Sequence, residues 1–328
     1  MNRILLFSAL IGALGLAPAA AQAYPHKAVT VVVPYAAGGP TDKVARDLVD
    51  SLRKQLPRTT FLIEHTPGAG GTTGVSKVAR APNDGHTVLL AHIGMATAPW
   101  MYKNLKYQVQ DDFEYLGLIT EVPMTLVGRP GLPPSDVADL TRWIVANKGK
   151  VNLANAGNGS ASHLCGLLLQ QALKVRLTTV PFSGTGPAMA AMLGDQVDLM
   201  CDQTTNTTPQ IESGTIKAYG VTSESRMTHS PTLAKLPTLK ESGLRGMQIT
   251  IWHGLYAPKG TPASVVDRLN QMIRAVLADP AFVKSQHAVG AVVVKDARMG
   301  GAEHKRFVEA ETARWGRVIK ASGQALTN

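Results

Sequence analysis

The sequence lacks most of the short motifs that identify a catalytic or redox centre. It contains no C-x-x-C pair, no H-E-x-x-H run and no G-x-S-x-G turn. These absences argue against a thioredoxin-like centre, a zincin and an α/β-hydrolase. It also has no G-x-x-x-x-G-K-[ST] and no complete G-x-G-x-x-G, so neither a P-loop nor a dinucleotide-binding fold is supported.

Cysteine, charge and aromatic residues are also sparse. Only Cys165 and Cys201 occur among 328 residues, too few for a disulfide-stapled scaffold. Both lie in apolar surroundings without a basic neighbour, which favours buried free thiols over a single bridge. The formal net charge is +10, but the basic residues are dispersed and only 5% of the residues are aromatic. We therefore expect no nucleic-acid partner, and we interpret the positive charge as steering of small anions.

The N-terminus has the organisation of a secretory signal peptide. Asn2 and Arg3 precede the apolar run Ile4–Leu16, and Ala21-Gln22-Ala23 forms an A-x-A cleavage site. The run is shorter than the ~20 residues that span a bilayer. Residues 1–23 are therefore predicted to be removed, and the mature chain, starting at Tyr24, is predicted to be exported.

The mature sequence alternates apolar strands, glycine-rich turns and amphipathic helices. Strand Val29–Tyr35 precedes helix Lys43–Leu56, and Thr87–Ala91 and Val151–Ala154 are two further strands. A helix is also predicted over Thr261–Ala278, with Thr261 as its N-cap. This order predicts an α/β fold with parallel strands, in which ligands bind at the carboxyl ends of the strands.

Four glycine turns stand at the starts of helices. We number them along the chain as the first to fourth turns: Ala36–Asp42, Gly68–Gly74, Gly157–Ser162 and Ser183–Gly186. Glycine lets the backbone approach a ligand closely, and the free amides of a first helical turn attract anions. None of the turns contains Lys or Arg. This pattern favours a carboxylate held by hydrogen bonds over a polyphosphate held by charge.

Two long apolar segments interrupt the alternation and are predicted to cross between domains. They are Tyr115–Arg129 and Met247–Ala257. A chain of this length is expected to form two domains. We predict one lobe from residues 24–123 with 248–328 and a second lobe from 124–247, able to close around a ligand.

Five segments of the sequence resemble those of a known family. VVVPYAAGGPTD, PGAGGTTG, AGNGSASHL, VPFSGTGPAMAAMLGDQVDLMCDQ and GLYAPKGTPASVVDRLN are similar to segments of the Bug family. These are periplasmic solute-binding proteins of tripartite tricarboxylate transporters. The resemblance implies a type II periplasmic-binding-protein fold, with two α/β lobes and a ligand cleft between them.

The resemblance also implies a set of ligand-binding residues. From the first lobe these are Tyr35, Gly38, Gly39, Thr41, Asp42, Gly70, Gly71, Thr72 and His92. From the second lobe they are Gly159, Ser160, His163, Ser183, Gly184, Asp202 and Gln203. For Asp42 alone, capping of its helix is the main role we expect.

Two positions depart from the family pattern. Leu167 replaces a frequent acidic residue, which argues against an ammonium-bearing ligand, and Cys201 replaces a frequent aromatic, which widens the cleft floor or brings Cys201 near Cys165.

The function expected from these observations is capture of a small organic anion, a di- or tricarboxylate or an aromatic acid. The expected partners are the membrane permease subunits of the transporter, and the protein is expected to be a monomer with no metal, no cofactor and no enzymatic activity. Two alternatives remain open at this stage. One is a ligand-binding partner of a membrane sensor protein, and the other is an exported enzyme that uses His92 or His163 as its base.

Overall fold

The protein is described by a computed structural model that covers residues 24–323. The described strands are β1 Val29–Val33, β2 Phe61–His65, β3 Thr87–His92, β4 Phe113–Gly128, β5 Asn152–Asn155, β6 Thr178–Pro181, β7 Leu199–Gln203, β8 Lys217–Val221, β9 Thr250–Pro258 and β10 Val292–Val293. The described α-helices are α1 Pro40–Gln55, α2 Thr72–Ala79, α3 Gly94–Met101, α4 Val137–Asn147, α5 Ala161–Leu173, α6 Thr185–Leu193, α7 Thr204–Glu212, α8 Ala263–Ala278, α9 Pro280–Ala288 and α10 Gly301–Ala321. The predicted signal peptide lies outside the described residues.

The strands form one sheet that divides into two α/β lobes. Along the sheet the order is β2-β1-β3-β9-β4-β7-β5-β6, with β8 and β10 also paired to β4. In the first lobe β2, β1 and β3 are parallel, and in the second lobe β7, β5 and β6 are parallel. Because the carboxyl ends of parallel strands share one edge, each lobe gathers its strand-to-helix turns on one side.

β4 belongs to both lobes. Its first part pairs antiparallel with β9 as far as Pro123, and its second part pairs with β7 from Met124 onward. β9 in turn pairs with β3 of the first lobe. The long apolar segments predicted to cross between the domains therefore form the central strands of the molecule.

Alternation along the strands builds a layer of helices on each face of the first lobe. Val31 and Val33 of β1 belong to a buried cluster that includes residues of α1 and α8, whereas Val32 belongs to a buried cluster that includes residues of α2, α3 and α10. Four apolar positions repeat at helical spacing along α1 and are all buried, namely Val44, Leu48, Val49 and Leu52. Each such side chain contributes about 1.5–3 kcal/mol relative to exposure to water.

Two helices begin at residues other than those that the sequence pattern predicts. α1 was predicted from Lys43 but begins at Pro40, because Gly39 serves as its N-cap and proline is well suited to the first helical position. The prediction of Thr261 as a cap is wrong. Its hydroxyl donates to the carbonyl of Pro258, and Pro262 occupies the N-cap position of α8.

The prediction that favoured free thiols is also wrong. Cys165 and Cys201 form a disulfide with their Cα atoms 5.9 Å apart. α5, which carries Cys165, packs on β7, which carries Cys201, and both residues are fully buried. The apolar residues around each cysteine therefore predict that its side chain is buried, but they do not indicate whether its sulfur forms a disulfide.

Within residues 24–323 we find no helix that combines the length and the apolar character needed to cross a membrane.

Candidate functional site

The four glycine turns meet in pairs where the two lobes face each other. The first turn contacts the fourth, since the amide of Ala36 donates to the carbonyl of Ser183 at 3.4 Å. The second turn contacts the third, and a Cβ added to Gly70 would lie only 2.0 Å from the carbonyl oxygen of Asn158. The two lobes are therefore in contact through the backbone of their glycine turns, and the structure shows the lobes closed on each other.

Helix α3 of the first lobe also holds the third turn. The hydroxyl of Thr97 donates to the carbonyl of Gly159 at 2.8 Å. Just after the helix, the hydroxyl of Tyr102 donates to the carbonyl of Asn158 at 2.7 Å. We call these two hydrogen bonds the α3 latch. They cross between the lobes without entering the cavity described next.

A narrow cavity lies between the turns. It is lined by residues of both lobes: Tyr35, Ala36, Gly39, Pro40, Thr41, Asp42, His92, Ala156, Ser160, Ala161, Ser162, Thr185, Asp202 and Gln203. The starts of α1, α5, α6 and α7 all converge on this cavity. Unpaired amides at four helix starts make the cavity favourable for an anion.

Asp42 organises the start of α1. One carboxylate oxygen accepts from the amide of Gly38 at 2.9 Å and from Arg46 at 3.0 Å. The other lies 2.8 Å from Nε2 of His65. Burial opposes ionisation, but these hydrogen bonds outweigh it and lower the pKa of Asp42. The residue thus stays ionised and fixes the first glycine turn from within the first helical turn of α1. The predicted capping role is not what the structure shows, because Gly39 is the N-cap and α1 has no side-chain cap hydrogen bond.

His92 and Tyr35 stack against each other on the first-lobe wall. Their ring centroids are 4.5 Å apart with the planes 12° from parallel. The amide of Gly94 donates to Nδ1 of His92 at 3.2 Å, and burial lowers the pKa of His92 to about 3. The ring is therefore neutral with its proton on Nε2, which makes this nitrogen a hydrogen-bond donor.

His253 stands behind this wall in the central strands. Its Nε2 lies 3.3 Å from the hydroxyl of Thr41 and its Nδ1 lies 3.3 Å from that of Thr120. Burial and the neighbouring His92 lower the pKa of His253 well below its ordinary value. A neutral histidine thus connects β4, β9 and the start of α1.

The third turn has the same kind of arrangement in the second lobe. Ser160 caps α5 by accepting from the amide of His163, and the amide of Gly159 donates to Nδ1 of His163 at 3.1 Å. Burial lowers the pKa of His163 to about 4, so this ring is also neutral with its proton on Nε2.

Asp202 and Gln203 form the floor of the cavity at the end of β7. Asp202 accepts from the amide of Gln203 at 2.8 Å and from the side-chain amide of Asn206 at 2.5 Å. Burial raises the pKa of Asp202 to about 7, despite these hydrogen bonds and one from Thr185. Asp202 therefore differs from Asp42 in having no cation beside it among the described residues.

Comparison with known proteins agrees with this geometry. Residues 44–324 match the family model of TctC, the tripartite tricarboxylate transporter family receptor. The chain belongs to this family. Among relatives of this TctC chain is the UPF0065 protein of the TAR-I ttuE-ttuC' intergenic region of Agrobacterium vitis, 43% identical over 93% of this chain and 87% of the relative.

Solved structures of similar proteins share the fold. The periplasmic binding protein BugD is 47% identical, covers 93% of this chain and 100% of its own, and has a TM-score of 0.89. MatC from Rhodopseudomonas palustris with bound malate is 38% identical, covers 90% of this chain and 100% of its own, and has a TM-score of 0.85. The fold is the periplasmic-binding-protein fold, and the TctC chain is a solute-binding receptor of this class.

The structure brings together only part of the site predicted for this TctC protein. The predicted residues that line the cavity are Tyr35, Gly39, Thr41, Asp42, His92, Ser160, Asp202 and Gln203. Gly70, Gly71 and Thr72 line a second, smaller pocket behind the stacked rings of Tyr35 and His92. The remaining predicted residues, Gly38, Gly159, His163, Ser183 and Gly184, line neither space and instead shape the turns.

Several cavity residues were not predicted. They are Ala36, Pro40, Ala156, Ala161, Ser162 and Thr185. The signal for Ser162 and Thr185 was present, because both are hydroxyl residues inside glycine turns at helix starts. The departure at Leu167 does not concern the cavity, since this residue borders a groove on the outer side of α5.

The described residues contain no group of three or more His, Cys, Asp or Glu side chains arranged to hold a metal ion.

Proposed function

We propose that this receptor captures a small organic carboxylate in the periplasm and delivers it to the membrane permease subunits of a tripartite tricarboxylate transporter. The observation that carries the proposal is the cavity itself, where four helix starts converge and neither Lys nor Arg is among the lining residues of the described chain. Such a site recognises an anion through hydrogen bonds and helix termini.

We propose di- or tricarboxylates and aromatic acids as the ligand classes. The similar protein MatC was solved with malate, a dicarboxylate, which favours the first class. Support for a carboxylate also comes from the neutral donors Nε2 of His92 and the amides at the start of α1. The proposed site combines the cavity residues of both lobes with Gly70, Gly71 and Thr72 in the adjoining pocket.

Closure of the two lobes is the proposed mechanism of capture. We keep the proposed division into residues 24–123 with 248–328 and residues 124–247. The change in pairing of β4 between Pro123 and Met124 supports it. One chain supplies all four turns around the cavity, which supports binding by a monomer.

We infer that the receptor performs no bond chemistry. His92 and His163 were the candidate bases, but Nδ1 of each ring accepts a hydrogen bond from a backbone amide. Burial lowers both pKa values to about 3 and about 4, far below neutrality. A general base needs an available lone pair and a pKa near the working pH, and neither histidine provides both.

A thermal-shift screen of the chain from Tyr24 onward tests the binding proposal. A ligand at a hundred times its dissociation constant adds roughly 2.7 kcal/mol to the free energy of unfolding, which raises the melting temperature measurably. We expect a selective rise with one class of acid and recovery of that acid unchanged after long incubation. The absence of a shift with mono-, di-, tricarboxylic and aromatic acids would overturn the proposal.

Partner capture tests the transport role separately. Immobilised receptor, loaded with the acid found in the screen, is expected to retain permease subunits from detergent-solubilised membranes of its own host. Retention of a sensor protein without permease subunits would instead assign the same cleft to signalling.

A further inference from the structure

A second groove lies beside the second glycine turn, within the first lobe. It is formed by α2 and by the segment that follows α3, which includes the latch residue Tyr102. Its volume is about 240 Å³, enough for a small ion and several waters. Only Thr72 is common to this groove and the proposed carboxylate site. The groove is therefore a separate space.

Two cations line the groove. Arg80 directly follows α2, and Lys106 lies in the segment after α3. Both side chains are exposed, and neither has an ion-pair partner among the described residues. No Asp or Glu of the described chain lines the groove. Two uncompensated cations on one concave surface attract an anion, and the guanidinium of arginine offers paired donors that match an oxyanion.

Helix α2 begins at the same groove. Thr72 and Thr73 are its first two residues, and both line the groove. Gly71 is the N-cap residue, and no side chain caps this helix start. The amides of a first helical turn carry partial positive charge, so the start of α2 adds to the attraction for an anion.

Ser76 supplies an independent observation that points to a ligand. This residue of α2 lines the groove and is 6% exposed. Its hydroxyl oxygen is shielded from solvent and has no hydrogen-bond partner among the residues that the structure describes. A buried hydroxyl without a partner is unfavourable, and an oxyanion bound in the groove would supply the missing acceptor.

We propose that this groove is a second anion site, which binds a small oxyanion carrying more than one negative charge, such as phosphate or sulfate. Arg80 and Lys106 provide the charge, and the hydroxyl of Ser76 donates a hydrogen bond. The cavity between the lobes has no Lys or Arg among its lining residues in the described chain. The two sites therefore prefer different anions, and the second site does not require that a carboxylate occupies the first.

Calorimetric titration with inorganic phosphate, at an ionic strength kept constant with chloride, tests for the second site. We expect saturable binding of one phosphate per chain. The double variant R80Q K106Q is expected to bind phosphate roughly ten-fold more weakly, the usual effect of losing two solvent-exposed ion pairs. K103Q is the matched control, because Lys103 is an exposed cation of the same segment that does not line the groove.

The substitution S76A separates a built site from general attraction to a basic surface. It leaves the charge of the protein unchanged, and we expect it to weaken phosphate binding roughly two- to ten-fold, the usual effect of one hydrogen bond. Thermal melts establish that each variant is folded, and R80Q K106Q decides against K103Q alone if S76A does not fold. Unchanged affinity in a folded S76A, or equal losses in R80Q K106Q and K103Q, would overturn the second site.

The acid found in the thermal-shift screen provides the last arm. Phosphate is expected to bind with the same affinity when this acid saturates the receptor, because the two sites are separate. Displacement of phosphate by the acid would place the phosphate in the cavity between the lobes, which overturns the second site and leaves the proposed function standing. Failure of every acid in the screen would overturn the proposed function, whereas the phosphate titrations would still decide on the second site.

Discussion

Gly39 is the residue at which the contact between the lobes is most easily tested. Its φ of −97° suits any residue, so a substitution introduces no backbone strain. A Cβ there would lie 3.2 Å from the hydroxyl of Thr185 on the opposite lobe. Gly71 is less suitable, because its φ of +102° would strain any other residue.

We predict that Gly39→Val weakens ligand binding while leaving the melting temperature of the free protein nearly unchanged. The added side chain holds the first and fourth turns apart, and overpacking of this size corresponds to roughly a ten- to hundred-fold loss of affinity. Calorimetry on the acid found in the thermal screen measures the loss. Gly149→Val is the control, since a Cβ at Gly149 meets nothing within 4 Å. Equal affinity of Gly39→Val and wild type would show that the turns do not need this approach.

The raised pKa of Asp202 predicts that the stability of the protein depends on pH. Its pKa rises from 3.8 when exposed to about 7 in the folded protein, so the folded state binds a proton more tightly than the unfolded state. The free energy of unfolding contributed by this group therefore falls as the pH rises from about 4 to 7. The nearby His92 and His163 act in the opposite direction, because their pKa values are lowered to about 3 and about 4.

Subtraction isolates the contribution of Asp202. Urea unfolding of the wild type and of D202N, measured across this pH range, should give a difference that decreases with rising pH. The pKa of Asp42 is lowered and contributes equally to both proteins. A difference that stays constant with pH would mean that Asp202 keeps an ordinary pKa.

At the scale of elements, the sequence predicted those parts whose apolar positions repeat at a regular spacing. α1 and the strands of the first lobe follow from the spacing of Val44, Leu48 and Leu52 and from the run VTVVV. α3 could not be found this way. It is buried on most sides, contains Pro99 and shows no polar face, so it has no amphipathic period to detect.

For the candidate site too, the sequence predicts only part of what the structure contains. Glycine turns at helix starts identify the regions, because both the turn and the anion site need bare backbone. Which residues of each turn line the cavity and which contact the opposite lobe was not predictable. Whether a residue such as Gly159 meets the cavity or the latch depends on contacts between lobes that are distant in sequence.

The α3 latch gives a prediction about closure. Tyr102→Phe and Thr97→Val each remove one hydroxyl that donates to the third turn, and neither residue lines the cavity. Each change is expected to speed ligand release and weaken affinity roughly two- to ten-fold, the usual value of one hydrogen bond. Stopped-flow dissociation measures the rate.

Tyr219→Phe is the matched control for this experiment. Its hydroxyl donates to the carbonyl of Pro134 within the second lobe, 3.2 Å away. The Tyr219→Phe variant should have a lower melting temperature but an unchanged rate of ligand dissociation. Unchanged release from both latch variants would show that closure does not depend on α3.

At the scale of the whole molecule, the disulfide joins α5 to β7. Cys165 and Cys201 are 36 residues apart, and closing a loop of this length contributes about 4 kcal/mol in the chain-entropy model. We predict that the double variant Cys165→Ser, Cys201→Ser loses free energy of unfolding of this order. Urea unfolding with and without reductant measures it, and a wild type insensitive to reductant under unfolding conditions would contradict the bridge.

The position of β9 in the sheet has a consequence for the order in which the chain can fold. β9 lies between β3 and β4, although it is made by residues 250–258, long after both of its neighbours. The sheet of the first lobe therefore has a gap until the last quarter of the polypeptide is present. A chain still emerging from the ribosome can pair β4 with β7 and β5 with β6, yet it cannot complete the order β3-β9-β4. Assembly of the cleft is thus postponed until synthesis is almost finished.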